Sequence, residues 1–337
     1  MTIYQFYPSC FPTTHTFYKK CLLPQSKDTF IDISKPQSRW KTRLRQLKYL
    51  ISGDIGFLFG YDSLSKNVDM LYSNGPIYCG KHNWVLDIMD SPYGMTGYNF
   101  NIFKKNIKRI EYCLSRDNCK KIIARCQDTI NIMKKYFSNE VISKISLELL
   151  ELPKKIYIKE KKSYFQILFI GSINNPGDFY NKGGLIALAA IERLGTKNIK
   201  LIMRCDIPKE LSERIRSNPH IKLINYKLTD EELDALYKQS DLLICTNPVM
   251  PFMATLEAKA YGIPIVCYDV FGIRSYIETN DNGFILIPPK DIQDVTNEES
   301  YPCDMRLPHI LEAVKKIDPE TLNSVCYIIT KLKNEKE

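Results

Sequence analysis

The stretch 255–266 constrains the fold of this chain more than any other part of its sequence. It predicts a short helix that carries one carboxylate, Glu257, ends at Gly262 and leads into a strand. Apolar runs lie on both sides of the helix, at 241–245 and 263–267. A helix that connects two strands in this way is one unit of a parallel α/β sheet. Such sheets bind ligands outside the carboxyl ends of their strands, where we expect Glu257 to lie.

Both halves of the chain repeat this alternation of strand and helix, which predicts an α/β fold with doubly wound sheets. The strands predicted in the first half are 3–6, 30–33, 55–59, 68–72, 84–88, 121–124 and 145–149. Those predicted in the second half are 165–171, 199–204, 221–225, 241–245, 263–267 and a last one from Gly283. The helices predicted in the second half are 182–194, 209–216, 230–239, the Glu257 helix and, after an irregular stretch from 288 to 308, one or two closing helices in 310–332.

The length of the chain favours two domains. Its 337 residues, 44% of them apolar, can bury a sizeable core, and two domains are expected rather than one at this length. The lysine-rich break at 153–163 is the expected linker. We place the first domain at 1–155, the second at 156–305 and closing helices at 306–337.

The net positive charge of the chain comes entirely from its first half. Residues 1–155 hold 24 Lys and Arg against 13 Asp and Glu, a balance of +11, whereas 156–337 hold 23 against 25, a balance of −2. This asymmetry favours an acidic partner for the first domain, such as a phosphate-bearing acceptor or an anionic membrane surface. A solvated lysine-rich face explains it equally well. Apolar residues at helical spacing in 38–51 predict a basic amphipathic helix, which either lies on a membrane or packs on the sheet.

Composition excludes several other classes of protein. The eleven cysteines form no Cys-x-x-Cys pair and no cluster with histidine, so neither zinc ligands nor a disulfide framework is expected. We expect most of the cysteines to be reduced, buried thiols. No apolar run reaches the roughly 20 residues of a membrane span, and the first residues lack the pattern of a signal peptide. The expected location is the cytoplasm, with peripheral contact at a membrane surface left open. The basic residues do not follow the pattern of a nucleic-acid-binding module, so no nucleic acid is expected as a partner.

Three features of the second half converge on the carboxyl edge of its predicted sheet. Lys182-Gly183-Gly184 follows a strand and opens a helix, so an ammonium, backbone N–H groups and the helix dipole can all meet a diphosphate. Arg204 ends the next strand and reaches the same anion, and Glu257 can accept hydrogen bonds from a ribose. Taken singly, these residues are also explained as a surface lysine, an ion-paired strand end and a helix-start carboxylate. Their order along the chain predicts a nucleotide-diphosphate site.

Five segments of the second half follow a known series of motifs in order and spacing: 167–171 (ILFIG), 181–184 (NKGG), 233–245 (LDALYKQSDLLIC), 256–266 (LEAKAYGIPIV) and 282–284 (NGF). In these segments the chain resembles the retaining GT-B glycosyltransferases of group 1, family 4. Segment 84–90 (WVLDIMD) adds a weaker match in the first half. The resemblance implies a GT-B fold of two Rossmann-like domains facing a cleft. It also implies that the first domain binds the acceptor and the second binds the nucleotide-sugar donor.

The resemblance implies a reaction as well. A glycosyl group leaves a nucleotide-diphosphate sugar, of UDP or GDP type, and joins an acceptor hydroxyl with retention of anomeric configuration and without a metal or other cofactor. It assigns Lys182 to the donor diphosphate and Glu257 to the ribose. The catalytic residues that we predict are Lys182, Arg204 and Asp90, of which Asp90 would bind a hydroxyl or, alternatively, cap a helix. The donor-binding residues that we predict are Gly171, Ser172, Lys182, Gly183, Arg204, Thr246, Asn247, Thr255, Leu256 and Glu257.

Three positions depart from the family's pattern. Val249 stands eight residues before Glu257, where many relatives carry a second glutamate that touches the sugar. Ser172 stands where an arginine often follows the first strand, and Met89 where a histidine is often found. We therefore keep two alternatives open, a catalytically reduced nucleotide-sugar-binding or scaffold protein of the same fold and a GT-B epimerase. The partners expected of a transferase are a nucleotide-sugar donor and a glycan, glycolipid or other hydroxyl acceptor. The oligomeric state is left open.

Overall fold

The computed structural model describes residues 2–6, 28–31, 67–96, 98–195, 198–295 and 308–336. The basic helix predicted at 38–51 and the strand predicted at 55–59 lie outside these residues. The chain divides into two compact units, Met1–Leu150 and Glu151–Glu337. Both units are α/β, and neighbouring strands in their two sheets are parallel.

Six strands form the described sheet of the first unit, in the order β2-β1-β3-β4-β5-β6. They are β1 (Ile3–Phe6), β2 (Thr29–Ile31), β3 (Met70–Asn74), β4 (Trp84–Ile88), β5 (Cys119–Ala124) and β6 (Ile145–Leu147). The described α-helices of this unit are α1 (Phe100–Ser115), α2 (Gln127–Tyr136) and α3 (Asn139–Ile142). Every residue of β4 is buried, as expected for a parallel strand covered on both faces.

The second unit contains the other six-stranded sheet, in the order β12-β11-β10-β7-β8-β9. Its strands are β7 (Phe165–Ile170), β8 (Ile199–Arg204), β9 (Ile221–Ile224), β10 (Leu242–Cys245), β11 (Ile265–Tyr268) and β12 (Gly283–Leu286). Its described α-helices are α4 (Asp178–Asn181), α5 (Gly184–Leu194), α6 (Ser212–Arg216), α7 (Asp230–Gln239), α8 (Phe252–Ala260), α9 (Lys290–Val295), α10 (Pro308–Val314) and α11 (Pro319–Lys336).

The strand order of the second sheet reverses between β7 and β10. The chain runs outward from β7 through β8 to β9, and then returns to the other side of β7 to form β10, β11 and β12. At such a reversal the loops that follow the two central strands diverge, which opens a crevice at the carboxyl edge of the sheet. The loops after β7 and β10 therefore border the place where this fold class binds ligands.

Local sequence explains the helices that surround this edge. Helix α7 begins with a capping box, in which the Thr229 hydroxyl accepts from the Glu232 N–H at 3.2 Å and the Glu232 carboxylate accepts from the Thr229 N–H at 2.8 Å. Helix α8 is followed by Gly262, whose φ of +64° is the left-handed conformation that ends helices. Helix α5 is apolar all round and is buried from Gly184 to Ile191, because helix α11 covers it.

The structure corrects several details of the sequence analysis. The stretch predicted to be irregular after residue 288 contains helix α9, and the helix predicted at 209–216 is a 3₁₀ turn followed by the shorter α6. Cys79 and Cys113 form a disulfide with Cα atoms 5.3 Å apart, an exception to the reduced thiols that we expected of most cysteines. The two cysteines are 34 residues apart in sequence, and only the packing of helix α1 brings them together, so their spacing carries no signal. The other described cysteines are free and buried, as expected: 119, 126, 205, 245, 267 and 326. Among the described residues, no helix is long and apolar enough to cross a membrane.

Candidate active site

Four parallel strands of the second sheet end side by side and define the candidate site. Ile170 of β7 pairs with Arg204 of β8, and Cys245 of β10 pairs with Cys267 of β11. The predicted residues Gly171, Ser172, Arg204, Thr246 and Asn247 therefore all lie at the carboxyl edge of one sheet. Gly171, Ser172, Thr246 and Asn247 belong to the two loops that flank the strand-order reversal.

Gly183 brings the Lys182 loop against the end of β10. Its φ is +83°, and a Cβ atom built on it would lie 2.1 Å from Thr246 Oγ1 and 2.9 Å from the Thr246 backbone nitrogen. A side chain at this position would collide with backbone, so glycine is required both for the left-handed conformation and for the close approach. Gly184 is confined in the same way, because a Cβ on it would lie 2.7 Å from the Phe179 ring. These two contacts fix where helix α5 begins.

The N-terminus of helix α5 points its backbone N–H groups toward this edge. Gly183 is the N-cap, and the Ala187 N–H donates to the Gly183 carbonyl at 3.1 Å. No described side chain caps the helix, so its first N–H groups keep their capacity to donate. The helix dipole adds partial positive charge at the same place. Loop and helix start thus provide the elements of an anion site.

Lys182 adds a full positive charge to the anion site. It ends the short helix α4, with its N–H donating to the Asp178 carbonyl at 3.0 Å. Burial raises the pKa of the Cys245 thiol to about 12, and the Lys182 ammonium acts in the opposite direction on that pKa. The Lys182 backbone belongs to the loop that Gly183 holds against the end of β10, and its ammonium is close enough to act on the Cys245 thiol there.

Arg204 is held at the end of β8 by hydrogen bonds with the loop after β7. Its Nη1 donates to the Gly171 carbonyl at 3.2 Å, and the Gly171 N–H donates back to the Arg204 carbonyl at 2.9 Å. Its Nε is buried and has no hydrogen-bond partner among the described residues. The structure therefore places a guanidinium beside the loop after β7, at the position predicted from the sequence.

Buried polar atoms without partners cluster around this edge. Within the part of the chain that the structure describes, they include both amide atoms of Asn181 and one side-chain atom each of Arg204, Thr246, Asn247 and Thr255. A buried polar atom without a hydrogen bond costs roughly 1–3 kcal/mol, so proteins seldom keep several together without a functional reason. Four of these five residues were predicted as donor-binding residues from the sequence.

Asn181 is the residue of this cluster that the sequence analysis did not select. It is 5% exposed and precedes Lys182 directly. Asn181 opens the motif at 181–184, which could have pointed to it, but an asparagine at a helix end is ordinarily explained by capping. Only the burial of both amide atoms without a partner distinguishes it.

Glu257 lies on helix α8, and its carboxylate is held by a tyrosine. The Tyr237 hydroxyl donates to Glu257 Oε2 at 2.7 Å. The neighbouring Thr255 and Leu256 are buried, and the Thr255 N–H donates to the Pro251 carbonyl at 2.9 Å. Helix α8 thus starts at Phe252, upstream of the donor-binding residues predicted on it.

Ser172 and Asp90 complete the set of predicted residues. The Ser172 hydroxyl accepts from the Asn174 N–H at 3.2 Å, which orders the loop after β7. Asp90 belongs to the first unit and accepts from the Tyr98 hydroxyl at 2.9 Å and 2.8 Å on its two oxygens. Desolvation by burial raises the pKa of Asp90 to about 6, against the opposing effect of Tyr98. The adjacent 3₁₀ turn donates a hydrogen bond to Ser91, whose hydroxyl accepts from the Tyr93 N–H at 3.3 Å.

The other carboxylate near the end of β4, Asp87, has a structural role. It is fully buried and receives Arg125 in a bidentate ion pair, with Nε at 2.9 Å and Nη2 at 2.7 Å. The Tyr72 hydroxyl donates to the same carboxylate at 2.5 Å. A carboxylate with these three bonds ties β3, β4 and β5 together.

The comparison with family models concerns the second unit. Residues 164–298 match the family described as Glycosyl transferases group 1. The matched segment lies within the second unit, Glu151–Glu337. This match covers the strands, the Lys182 loop and the Glu257 helix described above, and it confirms the resemblance of these segments to group 1 glycosyltransferases. No curated protein sequence matches the chain.

Solved structures confirm the fold over nearly the whole chain. HepE from Anabaena, crystallised with UDP, superposes with a TM-score of 0.54 at 14% identity and covers 98% of this chain and 100% of its own. The lipopolysaccharide outer core galactosyltransferase WaaB, in its apo form, gives 0.51 at 16% identity, covering 98% and 99%. WaaG, a glycosyltransferase involved in lipopolysaccharide biosynthesis, gives 0.51 at 14%, covering 97% and 99%. At such identities the likeness shows the fold alone, which is the predicted GT-B glycosyltransferase fold.

Proposed function

We propose that this chain is a retaining glycosyltransferase that moves a sugar from a nucleotide-diphosphate sugar to an acceptor hydroxyl in glycan or glycoconjugate synthesis. The observation that carries the proposal is the cluster of buried, unpartnered polar atoms beside Lys182 and the N-terminus of helix α5. The cluster lies inside the segment that matches the group 1 glycosyltransferases. The UDP in the HepE crystal motivates UDP, with GDP, as the first nucleotides to test.

The proposed role of the anion site is to bind the donor diphosphate. When the glycosidic bond to the diphosphate breaks, negative charge grows on the leaving oxygen. Arg204 and the N–H groups of helix α5 are held in place before the reaction, and Lys182 adds its charge beside them, so together they would stabilise that charge more in the transition state than in the bound donor. This arrangement supplies positive charge from the chain itself, which supports a transfer that needs no metal.

Other predicted residues would bind the remaining parts of the donor. Glu257 would accept hydrogen bonds from the ribose, and the loop after β10, with Thr246 and Asn247, would lie along the diphosphate and sugar. Asn181 offers both an amide donor and a carbonyl acceptor, which suits a hydroxyl or phosphate of the donor. We propose that Asp90 binds an acceptor hydroxyl.

Retention needs no enzymatic base in this proposal. The leaving diphosphate oxygen takes the proton of the attacking hydroxyl on the same face of the sugar, so the new bond forms where the old one breaks.

A cytoplasmic location and peripheral contact of the basic first half with an anionic membrane remain predictions, which rest on the apolar content and on the charge distribution of the sequence.

The experiment that tests the proposal is a screen of UDP-, GDP- and other nucleotide sugars by thermal stabilisation. A ligand at 100 times its dissociation constant adds about 2.7 kcal/mol to the free energy of unfolding. The stabilising donor is then incubated with candidate hydroxyl acceptors, and the anomeric configuration of the product is read by NMR. A retained configuration is expected. Binding without transfer or donor hydrolysis would favour the catalytically reduced binding protein, and stabilisation by no nucleotide sugar would contradict the proposal.

A further inference from the structure

The carboxylate of Glu257 accepts a hydrogen bond from a buried tyrosine of the neighbouring helix. Tyr237 lies on helix α7 and is 1% exposed, and its hydroxyl donates to Glu257 Oε2 at 2.7 Å. The two residues are 20 positions apart and belong to different helices, so the contact is a tertiary one. A hydroxyl bonded to one carboxylate oxygen fixes the plane of that carboxylate and hence the direction in which it accepts other hydrogen bonds.

The Tyr237 ring is itself held in place. The ring of Tyr261 stacks on it with centroids 5.1 Å apart and planes inclined by 7°. The Tyr261 hydroxyl donates to Asp234, and the Tyr157 hydroxyl, from the segment after residue 150, donates to the Tyr261 carbonyl at 2.9 Å. The stacked pair is therefore anchored from helix α7 and from the start of the second unit.

The protonation state of Tyr237 fits a permanent donor. Burial, with the negative charge of Glu257 as the next cause, raises the pKa of this phenol well above its ordinary value. The hydroxyl thus keeps its proton and remains a donor at neutral pH.

We infer that Tyr237 is a positioning residue for recognition of the donor ribose: it aims the Glu257 carboxylate at the ribose hydroxyls. The inference rests on the proposed function, because it takes Glu257 as the ribose anchor. It adds that selectivity for ribose over deoxyribose depends on a residue that does not touch the nucleotide. A purely structural tyrosine would change stability and leave this selectivity intact.

The test compares ribose and deoxyribose nucleotides on the full chain. Isothermal titration measures the dissociation constants of UDP, 2′-deoxy-UDP and 3′-deoxy-UDP, or the guanine series if the wild type prefers it. A hydrogen bond to a charged group predicts that wild-type affinity falls about tenfold or more when the hydroxyl that Glu257 accepts from is removed. In Tyr237→Phe the same removal should cost about threefold or less. The ratio is measured within each variant, so a loss of stability does not affect it.

Tyr261→Phe is the matched control, since it makes the same chemical change and keeps the stacked ring, but its hydroxyl bonds Asp234 and not Glu257. It should keep the wild-type selectivity. Full selectivity in Tyr237→Phe would overturn the inference while leaving the proposed function intact. Equal loss in both variants would overturn it as well, because it would assign the effect to the stacked pair as a whole. If wild type bound no nucleoside diphosphate and no nucleotide sugar, the proposed function itself would fail.

Discussion

Replacement of Gly183 by alanine tests the close approach that builds the anion site. The position has a φ of +83°, and an added Cβ would lie 2.9 Å from the Thr246 backbone nitrogen and closer still to its hydroxyl. Rotation of the Thr246 side chain can relieve the second contact but not the first. The Lys182 loop must therefore move away from β10, and Gly183→Ala should be destabilised through two separate causes.

The two causes can be given magnitudes. A left-handed backbone costs a non-glycine residue about 1–2 kcal/mol. Forcing an extra methyl group into a packed site typically costs about 1–3 kcal/mol more. The free energy of unfolding should fall by roughly 2–5 kcal/mol, and for a unit of this size 1 kcal/mol lowers the melting temperature by roughly 2–4 °C. Scanning calorimetry and urea unfolding followed by circular dichroism measure this change.

Gly262→Ala provides the matched control. Its φ is +64°, but nothing lies within 4 Å of an added Cβ. This variant should show the backbone cost alone, so the difference between the two variants isolates the collision with Thr246. Gly183→Ala should also lose at least tenfold in affinity for the stabilising nucleotide sugar, whereas Gly262→Ala should not. Equal destabilisation and equal binding in both variants would refute the argument that Gly183 permits the approach.

Three further predictions address the charges of the site. Lys182→Ala and Arg204→Ala should each weaken binding of the nucleotide sugar by about 1.5–3 kcal/mol, roughly 10- to 100-fold, while the exposed Lys209→Ala should not, as titration calorimetry can measure. Because the pKa of Asp90 is raised from 3.8 to about 6, the folded protein binds more protons than the unfolded chain between these values, and its stability falls as pH rises from about 4 to 6. Asp90→Asn removes this effect, so its stability relative to wild type should rise over that range by roughly 1–3 kcal/mol in urea unfolding, and a flat difference would contradict the raised pKa. Sugar transfer should continue at an unchanged rate in excess EDTA, and a loss that Mg²⁺ or Mn²⁺ restores would refute metal independence.

Local sequence signals predicted the elements of the fold well. The capping box at Thr229 sets the start of helix α7 at the predicted residue, and Gly262 marks the end of helix α8. Strands β1, β4 and β8 have their predicted bounds because each is an uninterrupted apolar or alternating run between turns. These signals depend on residues close together in sequence, which is why one sequence was sufficient.

Features that depend on tertiary contacts could not be predicted in the same way. The need for glycine at 183 comes from Thr246 on another strand, and the role of Tyr237 comes from Glu257 on another helix. The Cys79–Cys113 disulfide likewise joins residues that only the packing of the first unit brings together. In each case both residues are in the sequence, but nothing in the sequence shows that they are in contact.

The central claim is that a nucleotide sugar binds at the carboxyl edge of the second sheet. Amide hydrogen exchange, measured with and without the nucleotide sugar that gives the largest thermal stabilisation, tests this claim most directly. On binding, slower amide exchange is expected at the start of helix α5, at 182–186, and in the loop and helix from 246 to 257. Strong binding with protection confined to other segments would contradict it.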